Sequence, residues 1–137
     1  MSDRYKDQLK FVIKHFPLES HKFARIASQA SLAAHKQGKF WEFHEKLFEN
    51  YDAINDDKIE QIAIELKLDM DKFNADINLP EIQLIIDRDI KNGKEIGILG
   101  TPTIFINGKQ INPRTFDDFI IKIESELKKN SDKLLLD

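Results

Sequence analysis

The chain has 137 residues, enough for one domain, with 41% hydrophobic and 33% charged residues and a formal net charge of −3. Its basic residues are dispersed and no apolar run approaches the ~18 residues of a membrane helix, which argues against a nucleic-acid surface and a membrane span. It contains no cysteine, so it can form no disulfide, use no thiolate and bind no metal through sulfur.

The N-terminus MSDRYKDQLK is polar and does not read as a signal peptide, which leaves the compartment open. The run LKFVIKHF (9–16) is short, apolar-rich and closed by Pro17, and it predicts a strand over 10–16. From Glu19 to about Gln37 the pattern turns helical. Phe23, Ala27, Ala30 and Ala34 recur at three- and four-residue steps, and Gly38 is a plausible stop. KFWEFHEKLFENY (39–51) predicts a second helix with Phe40, Trp41, His44, Leu47, Phe48 and Tyr51 on one inward face. A third helix is expected over 55–68, with Asp57 and Glu60 spaced as a capping box. Asp69 reads as the N-cap of a short fourth helix. Pro80 opens a fifth lined by Ile82, Ile85, Ile86 and Ile90, for which Asn92-Gly93 offers an end signal.

Thr103 to Ile106 are β-branched or aromatic and predict a strand. Asn107-Gly108 predicts a two-residue turn into a shorter strand over 109–112. Thr115 and Asp118 suggest the cap of a last helix that turns Phe116, Phe119, Ile120, Ile123 and Leu127 inward. The tail NSDKLLLD (130–137) reads as frayed.

The four histidines, at 15, 21, 35 and 44, show no HxxxH or HExxH spacing, so no metal site is expected. The aspartate pairs lack the fixed Gly and closing Glu of a calcium loop and read as caps. Gly97 and Gly100 precede a strand rather than a helix, so they are no phosphate loop, and no cofactor is expected. Pro102 at the mouth of a strand is the unusual feature. It cannot donate to a ladder, so it keeps that edge out of the protein's own sheet, and an open edge can take an extended peptide by strand addition.

FVIKHFPLESH (11–21), ARIASQASLAAHKQGKFWEFHEKLFEN (24–50), GILGTPTIFINGKQI (97–111) and the closing amphipathic helix, in this order, resemble the DsbA-like branch of the thioredoxin superfamily. The likeness covers roughly residues 5 to 128. It implies an α/β thioredoxin-like fold within a single domain, a small mixed sheet interrupted by a large helical insertion at about 20–94, then a β-hairpin and C-terminal helix at about 97–129. It implies a cis peptide bond at Thr101–Pro102 and a substrate-binding loop at Thr101, Pro102 and Thr103 for an extended peptide or unfolded protein. It also implies thiol–disulfide oxidoreductase chemistry, which in that family needs a Cys-x-x-Cys pair at a helix N-terminus after the first core strand.

This sequence departs there. The ten residues before Phe11 hold neither that strand nor that motif. The expectation is therefore a truncated member with no catalytic residue of its own, inactive alone in disulfide exchange. The alternative is a redox-dead module that binds peptides at the proline loop. The strands over 10–16 and 103–106 would both lack a neighbour, which predicts self-association through the β segment.

Overall fold

The computed structural model describes residues 4–134. They fall into two compact units, one formed by Lys14–Leu99 and the other by the stretches before and after it.

The first unit is helical. It holds α1 (Ala24–Lys36), α2 (Phe40–Glu49), α3 (Asp56–Glu65), α4 (Met70–Asp76) and α5 (Pro80–Glu95). Helix α1 packs against each of the other four. Its composition explains this: Ala30, Ala33 and Ala34 are fully buried, and side chains that small let neighbouring helices approach closely. Phe43, Phe73, Ile62, Ile82 and Ile86 fill the space around them, with the Phe43 and Phe73 rings 5.9 Å apart. Polar groups in this core are satisfied. Gln29 Nε2 donates to the Ile77 carbonyl at 3.0 Å. Gln37 exchanges two bonds with the backbone of Asp69, which ties the end of α1 to the start of α4.

The caps follow local chemistry. Asp69 accepts from the Lys72 amide at 3.1 Å, and Pro80 takes the first turn of α5. Gly38, at φ +72°, follows the end of α1. Two expectations need correction. The cap of α3 is Asn55, whose Oδ1 accepts from the Lys58 amide at 2.8 Å, and Asp57 sits inside the first turn. Helix α5 also runs through Asn92-Gly93 to Glu95. Gly93 is there for proximity: a Cβ on it would lie 2.7 Å from the Phe16 ring.

The strand expected over 10–16 is not formed, and this segment is coil. A strand requires a laddered neighbour, and here the His15 amide is bound instead by the buried Asp89 carboxylate, at 3.0 Å. Phe16 lies against Gly93, one helical turn further along α5. Residues 14–16 are thus held against a helix, by the Asp89 side chain and the close approach that Gly93 allows, rather than by a sheet. The sheet itself is two-stranded and antiparallel among the described residues, not mixed.

The second unit contains that hairpin, β1 (Ile104–Ile106) and β2 (Lys109–Ile111), and α6 (Phe116–Leu134). The register pairs Ile104 with Ile111, Phe105 with Gln110 and Ile106 with Lys109. Asn107 and Gly108 both have positive φ, as a two-residue hairpin turn requires. Thr115 and Asp118 form a reciprocal cap: Thr115 Oγ1 accepts from the Asp118 amide and Asp118 Oδ2 from the Arg114 amide, both at 3.1 Å. Tyr5, Ile120 and Ile123 make a small buried core, joined at its edge by Leu9, Ile106, Phe119 and Leu127. Tyr5 also donates its hydroxyl to Glu124 at 2.9 Å. Phe116, expected inward, is exposed. Residues 130–134 continue α6 as helix, and 135–137 lie outside the described residues.

Candidate functional site

The loop Gly100–Thr103 leads directly into β1. Thr101 and Pro102 are exposed, Thr103 is half-buried, and the Thr101–Pro102 peptide bond is cis. Thr103 Oγ1 donates to the Gly100 carbonyl at 2.6 Å and staples the loop across its base. The three residues singled out from the sequence are therefore one contiguous surface feature.

Ladder parity determines what this surface offers. In a hairpin closed by a two-residue turn, the flanking pair exchanges both backbone bonds, here Ile106 with Lys109. The next pair, Phe105 with Gln110, exchanges none, and the pair Ile104 with Ile111 again exchanges both. The backbone N–H and C=O of Phe105 consequently point away from β2. No other strand pairs with β1 among the described residues. Phe105 was not singled out from the sequence, although register counting from Asn107-Gly108 identifies it.

The helical unit carries a second feature. The aromatic face expected to be the core of α2 is turned largely outward: Trp41, Phe48 and Tyr51 are exposed, while Phe43, which was not on that face, is fully buried. The sequence carries two overlapping stripes, and burial selects the one through Phe40, Phe43 and Leu47. Phe40 stacks on His44 at 5.5 Å, meets Trp41 edge-on at 5.1 Å and stands edge-on to both His15 and His35 at 6.1 Å. His44 continues to Phe48 at 4.8 Å. Burial pushes the His15 imidazole below its ordinary pKa; the Asp89 carboxylate opposes this and His44 adds to it. Burial lowers His44 as well. Both rings are thereby favoured neutral. Among the described residues no group of three or more His, Cys, Asp or Glu is arranged to hold a metal ion, and no helix is long and apolar enough to cross a membrane.

The family described as "DSBA-like thioredoxin domain" matches residues 1–120. A solved thioredoxin-like oxidoreductase from Silicibacter pomeroyi superposes with a TM-score of 0.70 at 22% identity, over 85% of this chain and 66% of that one. Among curated proteins, the Na(+)/H(+) antiporter NhaA of Herminiimonas arsenicoxydans is 33% identical over 107 residues, which is 78% of this chain and 17% of the antiporter. The Na(+)/H(+) antiporter NhaA 1 of Mycolicibacterium vanbaalenii is 33% identical over 76% of this chain and 17% of its own length. The chain thus spans about a sixth of the length of these curated relatives.

Proposed function

The chain belongs to the DSBA-like thioredoxin domain family, and on that premise we propose that it holds extended peptide segments at the Gly100–Thr103 loop without exchanging disulfides. The observation that carries the reading is an exposed Thr101–Pro102 beside a strand edge, in a chain with no cysteine. Disulfide exchange begins with attack by a thiolate, and this chain alone has none to supply. What remains is recognition. The backbone groups of Phe105 point off the hairpin, where an extended peptide would be held through its main chain. The antiport activity named for the relatives is not carried over, because the match covers 17% of their length.

Magnitudes limit the affinity. Each backbone hydrogen bond contributes a net ~0.5–1.5 kcal/mol, while ordering each peptide residue costs ~1–2 kcal/mol. Main-chain bonds alone therefore do not suffice, and the peptide must also bury apolar side chains against Phe105. A dissociation constant of roughly millimolar, about −4 kcal/mol, is the expected scale.

Amide NMR of the labelled chain, titrated with a short uncharged β-branched peptide and with a permanently unfolded protein, tests this. Shifts should concentrate at Thr101, Thr103 and Phe105. Thr103→Val removes the 2.6 Å staple to Gly100 and should weaken binding by about 2- to 10-fold, the worth of one hydrogen bond. Shifts confined to other surfaces, or none at millimolar peptide, would refute the proposal.

A further inference from the structure

From the same strand we infer a second interaction, which uses the same open edge and therefore competes with peptide binding: β1 pairs with β1 of a second copy of this chain, antiparallel, about a two-fold axis through Phe105. Three observations lead there. First, the backbone groups of Phe105 point away from β2, and β1 has no other strand neighbour among the described residues. Second, the edge lacks most of the devices that keep edges from pairing. Residues 103–106 carry no charge, and the protections present are Pro102 just before them and the shortness of the strand. Third, the edge is self-complementary. With Phe105 facing its own copy, the two residues exchange both backbone bonds. Ile104 then faces Ile106 of the second copy and the reverse, and Thr103 faces Asn107. No like charges meet, since residues 100–108 are all uncharged.

The second copy is favoured over an unrelated peptide for one reason. A free peptide must be ordered into an extended form on binding, whereas β1 is already held extended by β2. A two-fold pairing uses the β1 edge of both copies at once and is closed with respect to that edge, while the outer edge of β2 carries the charge of Lys109, which opposes further pairing. The ladder is only three residues long and covers far less than the ~1,200 Å² of a stable interface. The association is accordingly weak and concentration-dependent.

Sedimentation velocity of the full chain from micromolar to millimolar concentration reads it directly, with circular dichroism to confirm that each variant is folded. The wild type should pass from monomer to dimer over that range, with no larger species. Phe105→Lys places two ammonium groups opposite each other at the axis and should weaken dimerisation by about tenfold or more. Phe105→Glu should do the same. An equimolar mixture of the two should regain dimer, because residue 105 meets residue 105 and the charges now attract. Ile121→Lys, a charge on an exposed position of α6, should leave dimerisation unchanged. A wild type that stays monomeric throughout would overturn the inference, since it would mean the edge is silent or covered within one chain. So would a dimer indifferent to Phe105→Lys, or a mixture that associates no better than its components.

Discussion

Asp89 is the position where removing one atom group should reveal most about what holds the coil 14–16. The carboxylate is 4% exposed. Its Oδ2 accepts from the His15 amide at 3.0 Å, and its Oδ1 lies 3.2 Å from Arg88 Nη2 and 3.6 Å from Lys14 Nζ. Two contributions compete. The cations are largely in solvent, with side-chain exposures of 58% and 60%. Pairs of that kind contribute ~0–1 kcal/mol each and are screened by salt. The His15 amide has no strand to pair with, and leaving such a group unsatisfied costs ~1–3 kcal/mol. The amide should dominate. Asp89→Asn keeps an acceptor for it and lets the exposed cations swing away, so the loss should be about 1 kcal/mol or less. Asp89→Ala should cost about 2–3 kcal/mol, from the orphaned amide plus a small void. Urea unfolding followed by circular dichroism gives these values. Hydrogen exchange at the His15 amide gives the local one: a loss of 2 kcal/mol corresponds to exchange about 30-fold faster. The reasoning fails if Asp89→Asn costs as much as Asp89→Ala, or if 1 M salt abolishes the cost of Asp89→Ala, since either result would make charge the main contribution.

Other positions give sharper yes-or-no outcomes. His15 and His44 are held below their ordinary pKa in the folded chain, so the unfolded chain takes protons first as pH falls. Their contribution to stability should be complete above about pH 6.5 and fall away as pH drops through their lowered folded values. Unfolding measured from pH 8 to 5 should show this decline, and His15→Gln/His44→Gln should flatten it. Asn55→Ala should cost about 1 kcal/mol as a lost N-cap, whereas Asp57→Ala should change stability by less than about 0.5 kcal/mol; urea midpoints distinguish them. Ile123→Ala, at a buried position of the small core, should cost about 2–5 kcal/mol, while Ile121→Ala on the exposed face of the same helix should be close to neutral by the same measurement.

What the sequence disclosed and what it concealed separates along one line. Features decided within a few residues were legible: the Asn107-Gly108 turn, the Asp69 cap, Pro80 in the first turn of α5 and the Thr115–Asp118 reciprocal cap. Features decided by a distant neighbour were not. An apolar run such as FVIKHF has the pattern of a strand, but whether it becomes one depends on a ladder partner, and Asp89 takes the His15 amide instead. The aromatics of α2 supply two stripes, and only the packing of α1 against α2 decides which is buried. Gly93 reads locally as a helix end, yet it is placed for the ring of Phe16, which lies far away in sequence. Asp89 left a clue. Ile82, Ile86, Asp89 and Gly93 follow the helical step on one buried face of α5, and an acid in line with isoleucines announces a buried partner. The loop Thr101–Thr103 was legible as a position. The outward edge through Phe105 emerges only once the register is counted.

The outward-turned aromatics of α2 also equip the molecule with an optical reporter. Trp41 is the chain's one tryptophan, half in solvent, and its ring stands edge-on to His44 at 6.2 Å. Indole emission is sensitive to a nearby imidazole gaining a proton, because an imidazolium is a far better quencher than the neutral ring. The fluorescence of the unlabelled chain should therefore titrate with His44, and any partner that settles over α2 should displace that titration and shift the emission to the blue. The residue type least common in the chain thus sits where it can register both charge and occupancy on that helix, with no label attached.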